Sequence, residues 1–477
     1  MEKKAGDSAQ EGAGLRQARE ADESSSETRE GLDVHFAVMQ TARAMLSKHP
    51  LCDHCLGRQF AALLSGTGNK ERGKAVKTVL GMEAHRLLST DQDTALSLLR
   101  DLAAHGGSST AKALLSQLGV EVDEPSTCYL CGGTLTDENL DQIARASAGE
   151  LKSYEFSSIL VGSKVPLPIR EKEDKIRAEF GVTTGEDIKR EINREVGKRI
   201  SDITGVEAAF HNPDVTVTVD LFTQKHMVES NPLFIGGRYR KLSRNLPQSV
   251  WICPRCRGRG CDDCSGTGRK YAESISEMIG LPSVAHFKAS DFKFHAAGRE
   301  DVDVAVLGSG RPFVLELKTP LKRRGDLGEL EKKINTEAAD RTEVFDLCYS
   351  SRKEARALKT RSSTSTKTYL ARVVFDSNLD QSKLDELEAS FSNVVVEQKT
   401  PTRVLGRRSD RTRRKKLYKL SAKKIDDNTA EFTIKAQGGL YIKELIAGDN
   451  GRTTPSICQA LDSGALKIDL TVLDVDR

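Results

Sequence analysis

The chain has 477 residues, of which 30% are charged, and its formal net charge is only +4. A chain of this length is expected to form two or three domains, which argues against a single small binding module. Its apolar runs are shorter than the ~20 residues that cross a bilayer and its first residues are polar, so we expect a cytoplasmic protein without a membrane partner.

The character of the chain changes at about residue 34. Residues 1–33 are rich in Glu, Ser, Ala, Gly and Arg and have few large apolar side chains. Such a segment cannot offset its ordering entropy, so we predict a disordered tail. Residues 34–148 have helical apolar spacing, which predicts an accessory region with helices at Lys74–Leu88, Ala95–Ala104 and Ala111–Leu118.

Residues 149–225 combine strand and helix patterns. The spacing predicts a strand at Ser153–Val161 and a charged helix at Glu186–Ile203. A second strand is predicted at Val215–Leu221, where alternating Val and Thr side chains suit a pleated surface. We therefore expect a small α/β domain in this region.

Residues 226–477 are strand-rich with interspersed helices, which predicts an α+β domain. Gly308-Ser309-Gly310 separates two apolar runs, so we predict a hairpin with its turn at these glycines. The predicted strands are 302–307, 312–317, 367–375, 393–398, 430–436 and 470–475, and the predicted helices are Tyr271–Ile279, Gly328–Thr336 and Gln381–Phe391.

Basic residues concentrate in the second half of the chain. The densest run places eight cations within fourteen residues: Arg403, Arg407, Arg408, Arg411, Arg413, Arg414, Lys415 and Lys416. Further clusters span 238–244, 318–324 and 352–361. Cations that meet phosphates release counterions, so these clusters favour a nucleic-acid partner, whereas an isolated run would equally suit a solvated loop.

Eight of the ten cysteines form four Cys-x-x-Cys pairs. Two such pairs supply the four thiolates that tetrahedral zinc prefers, and an intracellular chain keeps thiols reduced, which disfavours the alternative of disulfides. We predict one structural zinc site in a finger at 251–268, held by Cys253, Cys256, Cys261 and Cys264. A second set, Cys52, Cys55, Cys128 and Cys131, requires the helical region to close on itself, which costs little more for a long loop.

A carboxylate flanked by arginine stands in the turn Gly298–Asp303. Asp301 in such a turn can act as a nucleophile, although acidic side chains in turns are commonly just solvated. Asp303 is two residues away, on the same face of a predicted strand, and is the chief rival.

Four segments follow one another in an order that resembles the archaeal-type tRNA pseudouridine synthases of the TΨC loop: 298–303, 367–371, 438–444 and 448–457. The segments Cys52–Phe60 and Gly236–Gln248 extend the resemblance over most of the chain. It implies an α+β catalytic domain built on a mixed, largely antiparallel sheet. It also implies that 34–148 is a zinc-binding accessory region and that 149–225 is a THUMP-like RNA-binding domain.

The resemblance also implies an activity and site residues. The expected reaction converts uridine 55, and uridine 54 as well, to pseudouridine without a catalytic cofactor, and Asp301 acts as nucleophile or as base. Tyr369 would stack on the target base, Lys443 would meet the active-site Asp, and Leu470 would line the pocket floor. Arg299 would either pair with Asp301 or contact phosphate. The remaining candidates for substrate binding are Tyr441, Arg403, Arg407 and Arg408. For both tyrosines the alternative is ordinary half-buried packing in a strand, and for Leu470 it is simple core packing, because a pocket wall and a core look alike in sequence.

The partner implied is the TΨC arm of tRNA, gripped in part by the basic loop 318–325, and the protein is expected to act as a monomer. Gly406 and Ala447 stand where many relatives have histidine. Neither residue is the proposed nucleophile, so we expect this difference to affect substrate binding more than the catalytic step. Two alternatives remain open at this stage. One is a non-catalytic, zinc-dependent tRNA-binding or chaperone protein, and the other is a metal-dependent nuclease built on Asp301, Asp303, Glu316 and Lys318.

Overall fold

A computed structural model describes residues 37–361, 365–406 and 408–475. The predicted disordered tail and the candidate Arg407 lie outside these residues. The chain forms two compact units. The first comprises the chain up to Lys152 together with Ser157–Val228, and the second comprises Ser153–Phe156 together with the chain from Glu229 onward. Among the described residues, no helix is long and apolar enough to span a membrane.

The first unit begins with helices whose N-termini are capped by side chains. Asp91, Ser108 and Thr136 each accept a hydrogen bond from a main-chain N–H three residues on, which satisfies one of the free donors at a helix start. The helices are α1 (37–48), α2 (Asp53–Gly57), α3 (Asn69–Leu87), α4 (Gln92–Ala104), α5 (Ser109–Gln117) and α6 (Asp137–Leu151).

The rest of the first unit is a three-stranded sheet with two helices. Its elements are β1 (Ile159–Ser163), α7 (Leu167–Phe180), α8 (Ile188–Thr204), β2 (Val215–Asp220) and β3 (Lys225–Ser230). The last two residues of β3 already belong to the second unit. The strand order is β1-β2-β3, and β1 and β2 are parallel. Buried positions alternate along β2 as the sequence predicts, whereas the predicted strand at 153–161 begins only at Ile159, because Ser153–Phe156 belongs to the second unit.

The second unit contains a sheet with ten strands in the described residues. They are β4 (Leu233–Lys241), β5 (Asp291–Ala296), β6 (Ala305–Lys318), β7 (Thr342–Tyr349), β8 (Thr366–Phe375), β9 (Val394–Gln398), β10 (Arg413–Lys424), β11 (Thr429–Gln437), β12 (Thr453–Thr454) and β13 (Ala465–Val475). The order is β12-β9-β10-β11-β8-β13-β6-β4-β7, with β5 also paired to β6. Strand β13 runs parallel to β6 but antiparallel to β8, and β4 is antiparallel to β6, which confirms the predicted α+β class with a mixed, largely antiparallel sheet.

The helices of the second unit pack on two apolar cores. One core joins β8, β11 and β13 through Phe375, Phe432 and Val472, and the other joins β4 and β6 through Tyr239 and Phe313. The two cores meet in the sheet where β13 pairs with β6. The helices are α9 (Ile275–Phe287), α10 (Leu327–Glu337), α11 (Arg352–Arg361), α12 (Gln381–Ser390), α13 (Ile442–Ala447) and α14 (Ile457–Leu461).

The predicted hairpin at Gly308–Gly310 is wrong, because β6 continues through these glycines as one strand of 14 residues. Gly308 and Gly310 have φ values of +55° and +68°, and a Cβ at Gly308 would lie 2.2 Å from the carbonyl oxygen of Leu473. Glycine is needed here for close approach and for left-handed backbone. At this point β6 leaves β13 and pairs with β5.

Candidate active site and metal centres

The loop at residues 298–303 lies between β5 and β6, just before β6 pairs with β13. It opens at Gly298, whose φ is +86° and where a Cβ would come within 2.9 Å of Lys367 Nζ. The loop borders a cavity of about 300 Å³ in the second unit. The cavity is lined by Trp251, Arg299, Glu300, Asp301, Val304, Arg311, Lys367, Tyr369, Arg403, Val404, Arg408, Leu440, Tyr441, Ile442, Lys443, Leu470 and Val472.

The main chain of this loop is held by the end of β4 and by the segment that follows it. The fully buried Lys241 donates from Nζ to the carbonyl oxygens of Asp301 (3.2 Å) and Val302 (2.5 Å). Arg244 Nη1 donates to the carbonyls of Asp303 and Leu470, both at 2.9 Å, and so ties the loop to β13. Lys241 and Arg244 of the motif at 236–248 therefore hold backbone atoms and fix where the loop can lie.

Glu300 anchors the same loop through a buried polar network. Tyr239 donates its hydroxyl proton to Glu300 Oε1 at 2.9 Å, and Arg311 Nε lies 2.9 Å from Glu300 Oε2. Gln248 Nε2 donates to the Tyr239 hydroxyl at 2.8 Å and to the carbonyl of Gly298 at 3.1 Å. Burial lowers the pKa of Arg311, but Glu300, Tyr239 and Tyr369 together outweigh it and the net pKa is raised, so Arg311 stays a cation.

Asp301 points its half-exposed carboxylate at an arginine from another loop. Arg403 Nη1 lies 2.9 Å from Asp301 Oδ2, and Arg403 Nε donates to the buried Glu444 at 2.6 Å. Burial lowers the pKa of Arg403, yet Glu444 and Asp301 together raise it above its usual value. The guanidinium is therefore a fixed cation that is oriented by Glu444 and presented to Asp301.

Two predicted contacts differ in the structure. Among the described residues, the ion-pair partner of Asp301 is Arg403, whereas Arg299 lies over the Trp251 ring at 5.2 Å. Lys443 Nζ pairs with Asp303 Oδ2 at 2.5 Å, so the basic residue meets the rival carboxylate instead of Asp301. Partial burial raises the pKa of Asp303, but the hydrogen bond and the charge of Lys443, together with the charge of Lys241, outweigh it and hold that pKa below its usual value.

The predicted aromatic and aliphatic candidates all line the cavity. Tyr369 lies on β8, and burial raises the pKa of its phenol to about 12, so the hydroxyl stays protonated at neutral pH. Leu470, on β13, is buried at the cavity wall. The hydroxyl of Tyr441 accepts a hydrogen bond from Arg408 Nη1 at 2.9 Å.

The main chain of Tyr441 is clamped by the buried amide of Gln398. Gln398 Nε2 donates to the Tyr441 carbonyl at 3.0 Å, and the Tyr441 N–H donates to Gln398 Oε1 at 2.9 Å. This clamp sets the start of α13, which carries Lys443 and Glu444. The alternative of strand packing for Tyr441 is wrong, since this residue stands at the N-terminus of a helix.

The loop that carries Arg403 is anchored by the segment 448–456. The Thr402 N–H donates to Asp449 Oδ2 at 2.9 Å, and Arg452 Nη2 donates to the Thr400 carbonyl at 3.0 Å and to Asp410 at 2.6 Å. The Gly-Asp-Asn-Gly-Arg motif is outside the cavity lining but determines where Arg403 stands.

Sequence reasoning missed Lys367 and Trp251 as cavity residues. Lys367 is two residues before Tyr369 on β8, and the two-residue period of a strand could have placed both on one face. Its side chain is buried, and burial lowers its pKa to about 8. No sequence pattern indicated that Trp251 would line the cavity, because its distance from Asp301 depends on how the finger is attached to the rest of the second unit.

The eight paired cysteines form two clusters of four, and all sulfur atoms of each cluster lie within 4.8 Å of one another. The sulfur–sulfur separations include 3.7 Å for Cys52–Cys131, and 3.9, 3.8 and 3.7 Å for Cys253–Cys261, Cys256–Cys264 and Cys261–Cys264. Sulfur atoms around tetrahedral zinc lie about 3.8 Å apart, because Zn–S bonds are about 2.3 Å long. Both clusters could therefore hold zinc, with four thiolates and no open position.

The first cluster borders a buried ion-pair network within the first unit. Arg58 Nη1 donates to Cys55 Sγ at 2.8 Å, and Arg58 Nε pairs with Glu173 at 2.7 Å. His54 Nδ1 lies 2.8 Å from Glu191 Oε1. His54 is therefore a buried neighbour of the cluster that is engaged by α8.

The acids proposed for a nuclease do not converge. Glu316 Oε2 lies 2.8 Å from His295 Nε2, and Lys318 pairs with Asp291 at 2.6 Å. In the part of the chain that the structure describes, the only groups of three or more metal-binding side chains are the two cysteine clusters. The geometry thus gives no support to the hypothesis of a nuclease.

Comparisons with known proteins identify the family. The family model "Pus10, C-terminal" matches residues 234–476, and "Pus10 THUMP domain, archaeal" matches residues 143–220. A curated protein of Thermofilum pendens, "tRNA pseudouridine synthase Pus10", is 42% identical over 445 residues, which cover 93% of this chain and 97% of that protein. A protein of the same name from Methanopyrus kandleri is 42% identical over 429 residues, with 89% and 95% covered.

A solved structure, "Crystal Structure of a Cbf5-Nop10-Gar1 Complex", matches at 15% identity and a TM-score of 0.29, over 50% of this chain and 48% of that one. The assignment rests on the sequence matches, which span both units and confirm the predicted resemblance and the THUMP domain. The chain therefore belongs to the Pus10 family.

Proposed function

We propose that this protein is a tRNA pseudouridine synthase that isomerises uridine 55, and also uridine 54, in the TΨC loop of tRNA. One observation carries the proposal: the Asp301 carboxylate stands at a cavity beside Arg403 and the Tyr369 ring. The names of the curated relatives support the reaction class and the tRNA substrate.

The reaction moves no electrons to or from a cofactor. The N1–C1′ glycosidic bond breaks, uracil rotates, and a C5–C1′ bond forms while the C5 proton is lost and N1 is protonated. Asp301 acts either by attack on C1′ or by taking a ribose proton, and both routes suit a half-exposed carboxylate at the mouth of a cavity. Lifting the uridine out of the RNA stack costs a few kcal/mol, which interactions in the pocket partly offset.

The remaining cavity residues have roles suited to binding and positioning. Tyr369 stacks on the uracil, and its protonated hydroxyl is available as a donor. Leu470 closes the apolar floor and keeps the detached uracil from leaving. Arg403 orients Asp301. The other residues that bind the nucleotide or its phosphates are Tyr441, Lys443, Arg299, Arg407 and Arg408.

Zinc in both cysteine clusters is proposed to be structural. Cys52, Cys55, Cys128 and Cys131 would hold one ion, and Cys253, Cys256, Cys261 and Cys264 the other. Four thiolates close the coordination sphere, so the ions would stabilise the local fold and take no part in the reaction. The protein is proposed to act as a monomer, because Asp301, Tyr369 and Arg403 of one chain line the same cavity.

The test is to incubate the purified protein with an unmodified tRNA transcript in EDTA and to map pseudouridine by carbodiimide treatment and reverse transcription. We expect stops in the TΨC loop with the wild type and none with Asp301→Asn. Asp303→Asn is the matched control and should retain measurable activity, because Asp303 faces Lys443. Loss of activity in Asp303→Asn but not in Asp301→Asn would transfer the role to Asp303. Tight tRNA binding without any stops would favour the non-catalytic RNA-binding protein.

A further inference from the structure

The only tryptophan of the chain stands where the cysteine finger joins the rim of the cavity. Trp251 is partly exposed and lines the same cavity as Asp301. It is the first residue of the finger, and the two ends of the finger are hydrogen-bonded: Cys253 N–H to Gly268 O at 2.8 Å, and Lys270 N–H to Trp251 O at 2.9 Å. The folded finger therefore sets the position of the indole.

Two cations lie over the indole ring. The Arg299 guanidinium carbon lies 5.2 Å from the ring centroid, and Lys270 Nζ lies 5.4 Å from it. Tyr271 meets the indole edge-on, with centroids 5.5 Å apart and an interplanar angle of 78°. An aromatic ring held at one edge, with cations over it that an incoming base would displace toward its own phosphates, has the features of a stacking platform for single-stranded nucleic acid.

The surface around the platform is basic and partly apolar. Residues 251–270 include more basic than acidic side chains. Arg257 and Arg259 are exposed, and so is Ile252, at 62%. A polyanion with exposed bases suits such a surface better than an acidic protein, which would meet the cations but not use the aromatic face.

We propose that Trp251 stacks on an unpaired nucleotide of the substrate RNA that neighbours the nucleotide entering the cavity. Arg299 and Lys270 would then bind the phosphates on either side of the stacked base. The inference rests on the proposed function for its RNA substrate. It assigns the finger a role in holding the strand beside the extruded uridine, in addition to its own metal-dependent fold.

The competing explanation is that Trp251 only packs on Tyr271 and supports the finger. A structural role predicts that Trp251→Leu loses zinc and lowers kcat and affinity together. A stacking role predicts a rise in KM with kcat retained, because the platform acts on binding. Removal of one base–aromatic stack should raise KM about tenfold.

The experiment uses Trp251 as its own reporter, because no other tryptophan contributes fluorescence. The full-length Asp301→Asn protein is titrated with an unmodified TΨC stem-loop, and binding is followed in parallel by the anisotropy of labelled RNA. We expect saturable quenching of tryptophan emission at the same RNA concentration as the anisotropy change. Unchanged emission at saturating RNA overturns the proposal.

Kinetic variants complete the test. Trp251→Phe keeps a ring and should keep a KM near that of the wild type, whereas Trp251→Leu should raise KM and retain zinc content and circular dichroism. Equal KM values for the Trp251→Leu variant and the wild type, or loss of zinc from that variant, overturn the proposal. If the wild type forms pseudouridine but RNA does not quench tryptophan emission, only this inference is contradicted. If RNA quenches the emission but the wild type forms no pseudouridine, only the proposed function is contradicted.

Discussion

At the scale of single residues, Arg403 joins two carboxylates with different surroundings. Asp301 is 42% exposed, whereas Glu444 is 7% exposed and depends on Arg403 as its ion-pair partner. A change at Arg403 should therefore affect both the reaction and the stability of the second unit. The two effects can be separated, because only one of the two carboxylates is buried.

Arg403→Met is expected to lower kcat about 100-fold, since misplacing a reacting group by about 1 Å has an effect of this size. It should also lower the free energy of unfolding by about 1–3 kcal/mol, because Glu444 stays buried without a partner. The double variant Arg403→Met/Glu444→Gln should recover stability in urea unfolding but not activity in the mapping assay. Recovery of both stability and activity in the double variant would contradict the hypothesis that Arg403 orients Asp301.

Lys367 is expected to make stability depend on pH. Its pKa is about 8 in the fold, against 10.5 for an unperturbed lysine. Below pH 8 the buried ammonium destabilises the fold by about 3 kcal/mol, and this cost disappears as pH rises from 8 to about 10.5. Lys367→Met should therefore be the more stable protein at pH 7, with an advantage that shrinks by pH 10. Urea titrations followed by Trp251 fluorescence test this, and an advantage independent of pH would contradict it.

The family resemblance predicted which side chains gather at the site better than how they pair. Asp301, Tyr369, Tyr441, Lys443 and Leu470 all lie at one cavity, as the resemblance led us to expect. The partners of the two carboxylates were not predictable, because Arg403 and Lys443 arrive on different elements. Their positions depend on clamps such as the one made by the Gln398 amide, which no local spacing reveals.

At the scale of elements, it was easier to predict where strands lie than whether a strand continues through a glycine-rich segment. The strands β8, β9 and β11 lie within two residues of their predicted bounds. The glycines in β6 were interpreted as a turn, because sequence alone does not distinguish a turn from a close approach between strands. The basic run at 413–416 suited a solvated loop equally well, yet it begins β10 and pairs with β9.

Metal content tests the finger as an element. The wild type should hold two zinc ions per chain, and Cys253→Ser/Cys256→Ser should hold one, because the other cluster lies in the first unit. Thermal melting of the variant should show a loss of stability confined to the second unit, since closed zinc sites contribute folding energy locally. Cys348→Ser/Cys458→Ser is the control and should keep both ions. Full zinc content in the finger variant would rule out the finger as a metal site.

At the scale of the whole molecule, the small net charge hides an uneven distribution. On β10 alternate side chains point outward, so Arg414 and Lys416 are both exposed. Exposed cations that meet phosphates make affinity fall with salt, which is a property of the whole charged surface and not of one ion pair.

Arg414→Gln/Lys416→Gln should weaken tRNA binding and reduce the slope of log affinity against log salt by about 1 for each phosphate that is no longer bound. The matched control is Lys332→Gln/Lys333→Gln on α10, where both lysines are also exposed. Anisotropy at several salt concentrations provides the measurement. An equal reduction of slope in both variants would show only a general effect of charge and no binding of phosphate by β10.

The position of β13 has a consequence for the synthesis of the protein. This strand lies between β8 and β6 in the middle of the sheet, carries Leu470, and receives the hydrogen bond from Arg244 that steadies the Asp301 loop. It is also the last of the described strands to leave the ribosome. A nascent chain thus cannot close its cavity while β13 is still in the exit tunnel, so the cavity forms only after this segment has emerged.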